Sequence, residues 1–274
     1  MMIAVGVGVF GSLIGSFLNV VIFRVPAGRS IVSPPSACGA CGARVRPFDN
    51  LPVVSWAVLR GKCRDCRAPI SVRYPLVELG TALFFAAVAW YLLSNFTVAT
   101  GGTAGIVATV LVLVAFLYFA AISVALALID LDTQRLPNSI ILPAYPAAAV
   151  LLSAAALTAG APERLITMAV GGAGLFAVYF GMASLYRGGM GFGDVKLAGV
   201  IGLFLGWLGW GPLAVGAFSA FMLGGLFSLV LVMTRGATGR TAIPFGPWML
   251  VGAWVGIFAG DQIASAYLAL FGLV

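Results

Sequence analysis

Residues 105–130 are GIVATVLVLVAFLYFAAISVALALID, and this stretch decides the fold. Its first 25 residues carry no charge, and about 20 apolar residues in a helix span the hydrocarbon core of a bilayer. A transmembrane β-strand would alternate apolar and polar residues with period two, whereas this run is apolar throughout. The stretch therefore predicts a membrane-spanning helix, and an acidic residue, Asp130, ends it.

The composition extends this prediction to the whole chain of 274 residues. Hydrophobic residues make up 62% and charged residues only 8%, against about 25% charged residues in a soluble domain. We therefore predict an all-α polytopic membrane protein with about eight transmembrane helices and a cytoplasmic zinc-knuckle segment between the first and second. The predicted spans are 3–23, 76–93, 105–129, 139–159, 165–185, 195–210, 213–233 and 245–268. Three regions follow: a first span (1–23), a four-cysteine segment (24–75) and a transmembrane core (76–274).

The basic residues predict the orientation. Nine of the fifteen Lys and Arg residues lie between residues 24 and 75. With eight spans, every other basic residue except Arg164 falls on the same face as that segment. Basic residues concentrate on the cytoplasmic side of a membrane, so segment 24–75 is predicted to be cytoplasmic and both termini to lie outside. Topology and contact with lipid headgroups account for the net charge of +7, so no nucleic-acid partner is predicted.

The four cysteines form two C-x-x-C pairs, Cys38 with Cys41 and Cys63 with Cys66. Paired knuckles of this kind are typical of a structural tetrahedral zinc site. A cytoplasmic location favours metal over disulfides, and a short segment gains stability from such a staple. Two redox pairs, as in a membrane thiol redox protein, and incidental free thiols are the alternatives.

The absence of histidine narrows the chemistry. It excludes Ser-His and Cys-His nucleophiles and imidazole general bases. The remaining groups with catalytic potential are carboxylates, thiols, lysine and bound cofactors.

A second acid lies in Gly191-Phe192-Gly193-Asp194-Val195-Lys196. The predicted topology places Asp130 and Asp194 at the cytoplasmic ends of their spans, at similar depth. A carboxylate pair can hydrolyse a peptide bond when one member activates water and the other protonates the carbonyl. Gly191 and Gly193 are predicted to allow a tight turn and close approach of an extended peptide. Pro137 is predicted to begin the next helix, after a short loop that carries Asp130.

Two other interpretations of these acids stay open. Asp130, Asp132 and Asp194 could be boundary acids paired with Arg135, Arg187 or Lys196, since acids near helix ends cost less than acids at the bilayer centre. They could also belong to the ion or proton pathway of a membrane transporter, which would string its carboxylates across the membrane depth.

Several motifs together resemble one family. They are Gly15–Pro26 (GSFLNVVIFRVP), Arg60–Cys66 (RGKCRDC), Ile129–Asn138 (IDLDTQRLPN) and Gly189–Ala198 (GMGFGDVKLA). The chain resembles the bacterial type IV prepilin peptidases, which are bifunctional leader peptidases and N-methyltransferases among the G-x-G-D aspartic membrane proteases.

The resemblance implies that Asp130, rather than Asp132, forms the catalytic pair with Asp194. Our own hypothesis is that Lys196 tunes the pair or holds the leader, and the alternative is that Lys196 is simply one of the basic residues on the cytoplasmic side. The resemblance also implies type IV prepilins or pseudopilins as substrates, cleaved at the cytoplasmic face of the bacterial inner membrane. S-adenosylmethionine would then methylate the new N-terminus, although no residue pattern locates the methyl-donor site. Asn138 stands where Asp is common in the family, and no effect on cleavage is expected.

Overall fold

The structure is a computed structural model, and it describes residues 1–96, 102–185, 190–235 and 244–273. These residues form nine α-helices and one 3₁₀ turn, Pro47–Asp49, with two isolated β-bridges. The helices are α1 (Met2–Arg24), α2 (Val54–Val58), α3 (Arg73–Asn95), α4 (Thr103–Thr133), α5 (Asn138–Thr158), α6 (Glu163–Leu185), α7 (Phe192–Leu208), α8 (Trp210–Arg235) and α9 (Gly246–Leu270). The predicted fold class is confirmed.

Eight of these helices correspond to the eight predicted spans. Their ends lie within four residues of the predicted boundaries. Within the described ranges, seven are long and apolar enough to cross a membrane by length and composition. The eighth, α7, has only 17 residues, and a membrane-spanning helix usually needs at least that number.

The loop expected to carry Asp130 is instead the last turn of a helix. Helix α4 continues to Thr133, because residues 130–133 contain no glycine or proline to stop it. It ends at Gln134, which has a left-handed φ of 52° and donates its N–H to the Asp130 carbonyl at 2.8 Å. Pro137 precedes α5 as its N-cap residue.

The chain divides into two compact units, and the first contains Met1–Thr97 and Phe116–Ala125. In this unit α1 packs along α3 through three glycines spaced by three or four residues. A Cβ atom added to Gly8, Gly11 or Gly15 would lie 3.1 Å or less from an atom of α3. Small residues allow such close approach of helices in lipid, and the contacts make the two helices antiparallel.

The second unit contains Val98–Ala115 and Leu126–Val274. Helix α7 is its central element, since it packs against α5, α6, α8 and α9. Gly171, Gly202 and Gly206 allow α6 and α7 to approach until their backbones touch. At the far end of α7, the Trp207 indole N–H donates to the Leu152 carbonyl of α5 at 3.0 Å. This packing fixes the position of the residues at the beginning of α7.

Candidate functional site

Asp130 is a buried acid in the last turn of α4, with 4% of its surface exposed. Its Oδ2 atom accepts a hydrogen bond of 3.1 Å from the backbone N–H of Gly246, the first residue of α9. The unpaired N–H groups at a helix N-terminus attract negative charge. Helix α9 therefore stabilises a carboxylate that burial would otherwise make costly.

Asp194 lies in the first turn of α7 and is half-buried. Its Oδ2 atom accepts a hydrogen bond of 3.2 Å from the backbone N–H of Gly191, the N-cap residue. A side chain at the third helical position often returns to the N-cap in this way. The sequence G-x-G-D thus orients the Asp194 carboxylate by local hydrogen bonding.

The motif glycines have ordinary dihedral angles, and what they provide is room for neighbouring side chains. Gly191 has extended backbone angles, and Gly193 lies within α7. A Cβ atom on Gly193 would lie 2.9 Å from the Cβ of Leu136. A Cβ atom on Gly246 would lie 2.7 Å from Asp130 Oδ2 and 3.4 Å from Leu136 Cδ2. Leu136 therefore contacts both the α7 and α9 N-termini, so the segments that carry and orient the two acids converge on it.

The structure brings Asp130 and Asp194 close enough to interact electrostatically. Neither acid forms an ion pair with any described residue; Arg187 lies outside the described residues. Asp132, two positions along α4, is exposed. Asp130 and Asp132 are separated by about 200° around the helix axis, which explains why only the first reaches Gly246.

Lys196 binds a neutral partner instead of an acid. Its Nζ donates to Asn138 Oδ1 at 2.9 Å and lies 4.9 Å from the centroid of the Phe192 ring. The Lys196 carbonyl accepts the Tyr145 hydroxyl at 2.7 Å. These contacts connect the beginning of α7 to α5, so Lys196 holds the helix that carries Asp194.

Gly246 is a residue of the site that the sequence did not reveal. The last predicted span begins at residue 245 without any site role. The available signal was Pro247, because proline is common in the first turn of a helix and marks its start. A glycine immediately before it leaves room for a side chain from elsewhere in the chain.

The four cysteines come together in the first unit and could hold a metal ion. Their Sγ atoms all lie within 4.8 Å of one another, and those of Cys38 and Cys66 are 3.8 Å apart. A tetrahedral zinc site with bonds of about 2.3 Å has sulfur–sulfur edges of about 3.8 Å. The arrangement therefore fits a four-thiolate metal site.

The two knuckles share the same backbone turn. The N–H of Gly42 donates to the Cys38 carbonyl at 2.9 Å, and that of Arg67 donates to the Cys63 carbonyl at 3.0 Å. Both Gly42 and Arg67 have left-handed φ angles, 73° and 62°. Each pair of thiols is therefore presented by an equivalent turn.

The thiol electrostatics favour a bound cation. Backbone N–H groups of Cys41 and Ala40 lower the pKa of Cys38 to about 6. The Ala68 N–H lowers the pKa of Cys66, but hydrogen bonding with the three neighbouring thiols, together with burial, outweighs it and raises the pKa to about 12. A cation at the centre would stabilise all four groups as thiolates.

Two ion pairs surround the cysteine cluster. Arg64 Nε lies 2.9 Å from both carboxylate oxygens of Asp49, and Arg46 Nη2 lies 2.9 Å from Asp65 Oδ1. The Arg64 guanidinium holds the pKa of Asp49 below its usual value. Each pair joins the second knuckle to the chain that follows the first.

The fold and site define a polytopic helical membrane protein with a paired-aspartate centre and a four-cysteine cluster. Two family models match the chain: "Bacterial Peptidase A24 N-terminal domain" over residues 9–92 and "Type IV leader peptidase family" over residues 117–233. The first match includes all four cysteines, and the second includes both aspartates. The chain belongs to the type IV leader peptidase family.

Curated relatives align along nearly the whole chain, and each is named prepilin leader peptidase/N-methyltransferase. The Pseudomonas aeruginosa relative is 34% identical over 96% of this chain and 92% of its own length. The Stutzerimonas stutzeri relative is 34% identical over 95% and 92%, and the Aeromonas hydrophila relative 33% identical over 96% and 92%. No solved structure matches the chain significantly. With its apolar spans and these relatives, the chain is a multi-pass protein of the bacterial inner membrane.

Proposed function

We propose that this chain is an intramembrane aspartic endopeptidase that cleaves the leader of type IV prepilins or pseudopilins. It then methylates the new N-terminus, with S-adenosylmethionine as methyl donor. The observation that carries the proposal is the convergence of buried Asp130 with Asp194. The names of the relatives supply the substrate class and the methyl transfer.

The hydrogen bonds at the two acids suit activation of water. Each carboxylate is held through Oδ2 by a backbone N–H, from Gly246 for Asp130 and from Gly191 for Asp194. No donor in the described part of the chain binds Oδ1 of either acid, which leaves one oxygen of each for water and substrate. The pair shares one proton, because two nearby carboxylates resist simultaneous ionisation. The ionised member removes a proton from water, and the protonated member donates to the scissile carbonyl.

The geometry of the four cysteines supports bound zinc, whereas only the names of the relatives support the methyl donor. Cys38, Cys41, Cys63 and Cys66 would hold zinc, which would fold and brace the segment rather than take part in hydrolysis. The methyl-donor site is not assigned to any cluster of described side chains, so the methyl transfer stands on the relatives' names.

We also propose the orientation of the chain in the membrane and its division into three regions. Residues 1–23 form the first span with the N-terminus outside, 24–75 a cytoplasmic cysteine segment, and 76–274 the core with both aspartates. Cleavage then takes place at the cytoplasmic face, where positively charged leaders remain during membrane insertion.

The transporter and redox alternatives fit the structure less well. The two acids cluster near the ends of α4 and α7, whereas a transport pathway needs polar groups across the membrane depth. The four thiols form one cluster of tetrahedral size rather than two separate pairs.

The test is to incubate the full-length membrane protein with a prepilin and labelled S-adenosylmethionine. Product N-termini are then sequenced and their label counted. Asp130→Asn and Asp194→Asn should each abolish cleavage and leave membrane insertion intact, while Asp132→Asn is the matched control and should retain cleavage. Full cleavage by either of the first two variants would refute the catalytic assignment. Cleavage without label would refute the methyltransferase half alone.

A further inference from the structure

The cysteine segment exposes an apolar ridge formed by Leu51, Val54 and Val58. Their exposed fractions are 54%, 56% and 70%. Val54 and Val58 are four residues apart in α2 and therefore share one face. Clustered exposed apolar residues, unlike scattered ones, mark an interaction surface.

The groups of α2 that form hydrogen bonds lie beside and opposite the ridge. Ser55 is buried, accepts the N–H of Leu51 at 3.1 Å and donates to the Phe48 carbonyl at 3.0 Å. The Trp56 indole N–H donates to the Ile70 carbonyl at 3.1 Å. These hydrogen bonds fix the rotation of α2 about its own axis, and this rotation directs the ridge outward.

A carboxylate of α3 attaches the turn before α2, and with it the ridge, to that helix. Glu78 of α3 is 9% exposed, and its Oε2 accepts the N–H of Val53 at 2.7 Å. Val53 has φ 62°, a left-handed conformation that β-branched residues rarely adopt. Glu78 lies five residues after the start of α3 at Arg73, which is about 7 Å along the helix axis. The predicted span begins at residue 76, so this hydrogen bond attaches the turn before α2 near the membrane end of α3, where interfacial apolar side chains insert about 5–10 Å.

The net charge of the cysteine segment complements an anionic surface. Residues 24–75 contain nine basic and two acidic residues. Both acids, Asp49 and Asp65, are paired with arginines. Arg60 and Lys62, which follow the ridge in the chain, are exposed. Four zinc-bound thiolates would offset only two of the seven excess positive charges.

We propose that the Leu51–Val54–Val58 ridge inserts into the interface of the protein's own membrane, where exposed basic residues of the same segment bind anionic lipid headgroups. The segment is then held on the bilayer by three elements: α1, α3 and the ridge. Its two ends leave the membrane on the same side, since α1 and α3 are antiparallel, and the Asn19 side-chain amide donates to the Tyr74 carbonyl at 3.2 Å.

Hydrogen–deuterium exchange on the full-length zinc-loaded protein tests this proposal. The protein is placed in nanodiscs of phosphatidylcholine, alone or with phosphatidylglycerol, and exchange is followed in peptides covering residues 51–60. We expect roughly tenfold slower exchange with the anionic lipid, and loss of that protection at high salt, because headgroup attraction is screened. Combined Leu51→Ser, Val54→Ser and Val58→Ser should remove the protection. Val32→Ser, which changes another exposed valine of the segment (84%), is the matched control.

Equal exchange of the wild-type protein in both lipid mixtures would overturn the proposal, whatever the folding of the variants. Protection that appears only after a prepilin is added would also overturn it, because the ridge would then bind substrate rather than lipid. Neither measurement requires turnover, so the result is independent of the proposed peptidase activity.

Discussion

Gly246→Ala tests the contact that holds Asp130. The added Cβ atom would lie 2.7 Å from Asp130 Oδ2 and 3.4 Å from Leu136 Cδ2. Gly246 is the first residue of α9, where alanine is compatible with the helix. The perturbation is therefore a steric one, directed at a single carboxylate.

The geometry sets the magnitude of the effect. An ordinary contact needs at least 3.4 Å, so the Asp130 carboxylate must withdraw by about 0.7 Å, and its hydrogen bond to the Gly246 N–H, now 3.1 Å, lengthens beyond useful range. A misplacement of about 1 Å at a reacting centre costs roughly 100-fold in rate. We expect a loss of 30- to 100-fold in kcat, or about 2–3 kcal/mol in activation free energy.

The assay is prepilin cleavage by purified protein under saturating substrate, with KM measured separately. Gly225→Ala is the matched control, because no atom lies within 4 Å of its added Cβ atom in α8. KM should change little, since the substitution affects the acid rather than the substrate-binding surface. A Gly246→Ala protein that folds and cleaves at the wild-type rate would refute the argument that the α9 N-terminus positions the acid.

Three further predictions concern other parts of the structure. Asn138→Ala should lower kcat several-fold by releasing Lys196 from α5, and Asn138→Asp should restore it because a carboxylate also accepts the lysine hydrogen bond; equal rates for all three proteins would contradict the positioning role. Cys63→Ser should reduce bound zinc from about one ion per chain to a small fraction by metal analysis, and unchanged metal content would contradict the four-thiolate site. Gly202→Leu should lower the melting temperature strongly, because its side chain would overlap the Gly171 carbonyl; an unchanged melting temperature would show that α6 and α7 separate easily.

The helices could be predicted from the sequence because each apolar run is itself the signal for a span. The long uncharged stretch before Asp130 needs no partner to identify it as membrane-spanning. The break before α8 also has a local signal, since Gly209, with φ 137°, ends α7. The cysteine cluster could be predicted for the same reason, because the C-x-x-C spacing is itself the geometry of a knuckle.

The contacts that orient the acids could not be predicted in this way. Gly246 lies 116 positions from Asp130, and Val53 lies 25 positions from Glu78. Neither contact leaves a periodic pattern in the sequence, because each depends on how separate helices pack. The Glu78 carboxylate holds the turn before α2 by accepting the Val53 N–H at 2.7 Å.

The structure gives a physical reason to choose Asp130 over Asp132, which the spacing of the two acids in the sequence did not give. Because α4 continues through Thr133, the two acids are fixed about 200° apart on one helix, and a loop would have imposed no such separation. Asp130 is buried beside the α9 N-terminus, whereas Asp132 is exposed. The same geometry implies that Asp132 cannot replace Asp130 without rotating or unwinding the last turn. An Asp130→Asn protein should therefore stay inactive although a second carboxylate lies two residues away, and residual cleavage that disappears on adding Asp132→Asn would show that this turn rearranges.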